Sequence, residues 1–164
     1  MLKAEPLTVL EVNTYGVGHI NRYTSESIET AYDQNGYGGM AYYTSETCGF
    51  PNGSYTYAGC ITDYSQSEIK YVVDAWASDK TSDAIEYWLI KIDELIANLG
   101  CTSTACDIVK YSWLHSNRYW YWTMSPKEQA TALILFIGSG GVYTTNGVNS
   151  GRGSVRPVIT ISNN

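Results

Sequence analysis

Four consecutive aromatic residues ahead of a Ser-Pro step, YWYWTMSP at 119–126, constrain this chain more than any other stretch. Each large ring removes on the order of 150 Å² from water when buried, so such a run belongs to a core or to a ligand face. The two-residue period predicts a strand with Trp120, Trp122 and Met124 on one side and Tyr119, Tyr121 and Thr123 on the other. We expect the tryptophan side to be core, whereas the tyrosine side packs beneath a covering segment or meets a ligand. Downstream, TALILFI is apolar on both faces, as a central strand is, and GSGG turns it into VYTT. A further turn at Asn146-Gly147 leads to a last strand, SVRPVITI, in which Pro157 lacks an amide proton and belongs at an edge or a strand start.

Upstream the pattern is mixed. Leu7, Val9 and Glu11 alternate with Thr8, Leu10 and Val12, which predicts short strands, and AYDQNGYGGMAYY carries an Asn35-Gly36 hairpin signal. The clearest helix is DYSQSEIKYVVDAWAS, where Ser65 and Glu68 spell an S-x-x-E capping box and Ile69, Val72, Val73 and Trp76 recur at helical spacing. AIEYWLI, short, β-branched and aromatic, reads as a strand. A second helix is expected over DELIANL, with Asp93 near its start, Leu95, Ile96 and Leu99 inward, and Gly100 closing it in a left-handed cap. Together these elements predict one α+β domain over 1–164, with two helices packed on small antiparallel sheets joined by long loops.

Charge and cysteines narrow the class. The ten Lys and Arg are scattered singly in a chain of net charge −6, leaving no cationic stripe to displace counterions from a phosphate backbone, so nucleic acid is not an expected partner. No run reaches the ~18 apolar residues of a membrane helix, and insertion of this chain into a bilayer is not expected. MLKAEPL lacks a basic segment, an apolar segment and a cleavage site, so export would require a leader or an N-terminal anchor outside this stretch. The four cysteines fall into two close couples, Cys48 with Cys60 and Cys101 with Cys106. Two local disulfides, worth roughly 2 to 3 kcal/mol each by loop entropy, are the simplest reading, with zinc and free thiols as alternatives. Disulfides imply an oxidising compartment.

Taken in order, YWYWTMSP, GGVYT and VRPVITI resemble the C-terminal half of bacterial and phage surface proteins with a C-type-lectin-like fold. Those modules close with a YW-x-x-SP strand, a variable hairpin region and GVRPVI, and the similarity extends upstream over DYSQSEIKYVVDAWASDK and LIKIDELIANLGC. The fold is shared with formylglycine-generating enzymes and with proteins varied by diversity-generating retroelements. Two departures stand out: WLIKIDEL puts Lys91 where related modules have a capping Thr, and Ser154 occupies the position before VRP where Gly is common.

The resemblance implies a non-catalytic extracellular domain on a bacterial or phage surface, binding a protein or glycan ligand on another surface. It assigns display to the region between the SP and RP strands, in which Lys127, Glu128, Gln129, Tyr143, Thr145, Asn146, Asn149 and Arg152 are the side chains a partner would read. Retroelement mutagenesis acts through adenines, so AAY-derived codons are expected between 126 and 155; Lys127, Glu128 and Gln129 cannot carry them. A structural alternative makes the chain the globular head of a pilin-like or cell-surface subunit. No cluster of carboxylates and amides of the calcium-lectin kind appears, so neither calcium nor another metal or cofactor is expected. No cysteine follows Cys106 to serve as a reactive pair in the C-terminal strands. Ser125, Ser116, His115 and Asp107 lack any spacing that marks a nucleophile and its base, so no enzyme is expected.

Overall fold

The computed structural model describes residues 7–15, 22–23, 39–43, 48, 59–80, 84–107, 121–127, 133–137, 142–148 and 153–161. Among them the chain runs α1 (Val9–Tyr15), β1 (Arg22–Tyr23), β2 (Gly39–Met40), a 3-10 turn (Tyr64–Gln66), α2 (Glu68–Lys80), β3 (Ala84–Leu89), α3 (Ile92–Leu99), β4 (Tyr121–Pro126), β5 (Leu133–Ile137), β6 (Tyr143–Gly147) and β7 (Pro157–Ile161). The class is mixed α+β, with three helices where the sequence reading has two, beside small antiparallel sheets.

The additional helix replaces the strands expected at the N-terminus. The Thr8 hydroxyl accepts the Glu11 amide at 3.2 Å and the Glu11 carboxylate accepts the Thr8 amide at 2.8 Å, a reciprocal capping box. Leu7 before the cap and Val12 one turn in are both buried in the same cluster, as a hydrophobic staple requires, while Leu10 is exposed. The alternation of apolar residues is real, but T-x-x-E sets the backbone and helical spacing decides which of them face inward.

In α2 the expected stripe holds: Ile69, Val72 and Val73 are buried and Trp76 packs on the cluster they form. The start is displaced by two residues. Residues 64–66 take a 3-10 turn whose cap is Asp63, accepting the Ser65 amide at 2.9 Å, and the helix proper is capped by Ser67, which accepts the Lys70 amide at 2.9 Å. Helix α3 begins at Ile92 and ends at Gly100 (φ 66°, ψ 28°), the left-handed position where a side chain would be strained. Its inward residues are Ile92 and Leu95; Leu99 is half-buried and Ile96, expected inward, is 38% exposed.

Strand β5 is central in the sheet β4-β5-β6, the place its unbroken apolar run predicts. β7 pairs with β3, with Pro157 as its first residue opposite Leu89, where a missing amide proton costs least. The turn expected at Asn146-Gly147 comes later: both residues still pair with β5, opposite Ile134 and Leu133, and the chain turns at Val148. Cys48–Cys60 and Cys101–Cys106 are disulfides, with Cα atoms 4.8 and 4.5 Å apart. No helix among the described residues is long and apolar enough to cross a membrane. The Asn35-Gly36 hairpin lies outside the described residues.

Candidate ligand-recognition surface

Strand β4 organises the C-terminal half, and its burial departs from the two-face reading. Tyr121, Trp122 and Thr123 are all buried. The pairing with β5 slips between Trp122 and Pro126, so strict alternation does not run the length of the strand, and the strand separates two clusters. Trp122 enters the larger one, donates its indole N–H to the Met40 carbonyl at 2.9 Å and tilts against the Tyr42 ring at 5.7 Å. Tyr121 packs on the other side with Ile92, Leu95 and the Cys101–Cys106 disulfide. The tyrosine side of β4 is thus core at Tyr121 as well; Tyr119 and Trp120 lie outside the described residues.

β4 and β2 together hold the chain where it returns after β6. The Trp122 amide donates to the Ser154 carbonyl at 3.0 Å, and the Met40 amide donates to the Gly153 carbonyl at 3.1 Å. A Cβ on Gly153 would lie 2.1–2.5 Å from atoms of the Trp122 indole, so this position admits only glycine unless the ring moves. β4 ends at Pro126, β5 and β6 extend its sheet, and the chain returns at Gly153 and Ser154 beside the buried tryptophan.

Between β4 and β7, Lys127 is exposed directly after β4. Tyr143 and Thr145 lie on β6, half-buried, and Asn146 is on the same strand, in register with Ile134. Glu128, Gln129, Asn149 and Arg152 lie outside the described residues, as do His115 and Ser116. Tyr143 packs against the smaller cluster, its hydroxyl 3.1 Å from the Cys106 sulfur, and burial raises its pKa above the ordinary phenol value. Burial raises the Tyr121 hydroxyl further, opposed by Arg156, whose buried guanidinium stands 5.1 Å from the ring centroid. Both tyrosines are neutral hydrogen-bonding groups at physiological pH.

Ser125 has a structural task that the sequence did not disclose. Its hydroxyl accepts the Ile92 amide at 3.0 Å and so caps α3 from another strand. Glu94 completes that helix start, accepting the Lys91 amide at 2.9 Å and the Trp88 indole N–H at 3.1 Å. Lys91 therefore occupies the cap position without serving as a cap, and Asp93 is an exposed first-turn residue. No local pattern would have revealed this, because the acceptor comes from 33 residues further along the chain.

Among the described residues no group of three or more His, Cys, Asp or Glu stands close enough to hold a metal ion. A shallow cleft of about 360 Å³ lies along the start of α2, lined by Ser65, Gln66, Ser67, Glu68, Tyr71 and Asp74 together with Lys70. Compared with known proteins, the chain matches no family model, no curated protein and no solved structure.

Proposed function

We propose that this chain is a non-catalytic, extracellular recognition domain of C-type-lectin-like architecture that binds a protein or glycan through the region between β4 and β7. The observation that carries the reading is the buried Trp122 anchor: it holds Gly153 and Ser154, where the chain returns after β6, while Lys127 at the end of β4 is exposed. Binding residues are commonly held on loops by a rigid frame, and Tyr, Thr and Asn offer contact area and hydrogen bonds at modest entropic cost. Two disulfides fit an oxidising environment such as the outside of a cell.

The test is a screen of the purified domain against a glycan array and a library of bacterial surface proteins. The expected result is a specific ligand whose affinity drops on substituting Asn149→Ala or Arg152→Ala and is unchanged by Lys70→Ala on the α2 cleft. Consistent absence of binding would overturn the recognition reading and favour a structural head of a surface subunit.

A further inference from the structure

The loop between Cys101 and Cys106 lies against the start of β6 although more than thirty residues of chain separate them. It leaves α3 through the left-handed Gly100, and the Cys101 amide donates to the Leu95 carbonyl at 3.3 Å, so its first residue is fixed by the helix end. Inside the loop Thr102 forms a closed turn. Its amide donates to the Ala105 carbonyl at 2.9 Å, and its hydroxyl accepts the Ala105 amide at 3.0 Å and the Thr104 amide at 3.3 Å. The disulfide shuts this turn, and both cysteines are buried beside Ile92, Leu95 and Tyr121.

This unit meets β6 in three ways. Ala105 and Val142 form an antiparallel bridge, the Tyr143 amide donates to the Thr104 carbonyl at 3.0 Å, and the Tyr143 hydroxyl touches the Cys106 sulfur at 3.1 Å. Among the described residues β6 is an edge strand of its sheet, bonded to β5 on one side, and an uncovered edge is free to fray or to pair with another chain. We infer that the Cys101–Cys106 loop is a covalently closed brace that positions the start of β6, with Tyr143 as a positioning residue, so that recognition depends on a segment outside the display region. The inference rests on the recognition reading for its functional consequence, but the bracing is measurable without any ligand.

Amide hydrogen exchange at Tyr143 and Thr144 tests it. In Cys101→Ser/Cys106→Ser these amides should exchange at least about tenfold faster than in Cys48→Ser/Cys60→Ser, compared at conditions where both variants are equally folded. Equal exchange in the two would overturn the brace. Thr102 is exposed, so Thr102→Ala keeps the fold and the disulfide while removing the hydroxyl that closes the turn. The Tyr143 amide should then exchange several-fold faster and recover in Thr102→Ser; an unchanged rate in Thr102→Ala overturns the proposal even if the double serine variant does not fold. Faster exchange in a domain that binds nothing on the glycan and protein panels would support the brace and remove the recognition reading. A ligand found together with unchanged exchange would do the reverse.

Discussion

The two sides of β4 are cores of different kinds. On the Trp122 side the buried partners come from the whole length of the chain, among them Leu7, Val12, Met40, Val72, Leu89 and Val155. Among the described residues those on the Tyr121 side come from one stretch, Ile92, Leu95, Cys101 and Cys106, and two of them are the halves of a disulfide. The first side is an assembly of long-range contacts that depends on close packing around one large ring. The second is a local cluster in which a covalent bond stands in for apolar area that a short segment cannot bury.

The largest expected effect strikes the first side. Trp122→Ala removes a fully buried ring and its hydrogen bond to the Met40 carbonyl, and a loss of about 4 kcal/mol in urea unfolding is expected; a loss comparable to that of a surface substitution would break the comparison. Gly153→Ala drives a methyl group into the same indole and should cost about 2 to 3 kcal/mol. Combining it with Trp122→Leu should cost less than the sum of the two single changes, because the smaller side chain vacates the space the methyl group needs. Additive losses would show that Gly153 acts through its backbone alone.

The disulfides sharpen the contrast. Loop entropy alone ranks Cys48–Cys60, which spans 12 residues, above Cys101–Cys106, which spans 5, at about 3 against about 2 kcal/mol. If the smaller cluster depends on its bond as described, replacing Cys101 and Cys106 by Ser will cost more than this ranking allows. A melt in which Cys48→Ser/Cys60→Ser is clearly the weaker protein would put the two sides on an equal footing.

Smaller effects are expected at the helix starts. Ser125→Ala should destabilise by about 1 kcal/mol, with faster exchange at the Ile92 amide and no change at the start of α2, which Ser67 caps on its own. Asp63 gives the mildest effect. Its carboxyl is held below the ordinary value by hydrogen bonds from the side chain and backbone of Ser65 and from Gln66, so its contribution is present above the unfolded-state pKa. That contribution is lost as pH falls through the lower folded-state value, and Asp63→Asn should flatten this acid limb of a stability profile.

Much of the fold was written locally. The stripe of α2, the left-handed end of α3 at Gly100, the centrality of β5, the position of Pro157 and both cysteine pairings follow from spacing and residue type within about a dozen positions. Helix α1 was legible too, since Thr8 and Glu11 spell its cap, but the alternation of Leu7, Val9 and Glu11 competed with it. The candidate site was far less legible. The resemblance implies a binding region between β4 and β7, whereas the half-buried setting of Tyr143 and its contact with Cys106 depend on residues 37 positions apart.

Residue order alone determined that α2 and α3 are helices and that β3 and β5 are strands, because caps, glycine conformations and hydrophobic periods act over one or two turns of chain. Tertiary structure alone decided that Tyr121 is buried along with Trp122, that Ser125 caps α3, that Gly153 must yield to an indole, and that the Cys101–Cys106 loop lies against β6. Each of these is a contact between segments distant in sequence, and a local pattern carries no record of which distant surface will meet it.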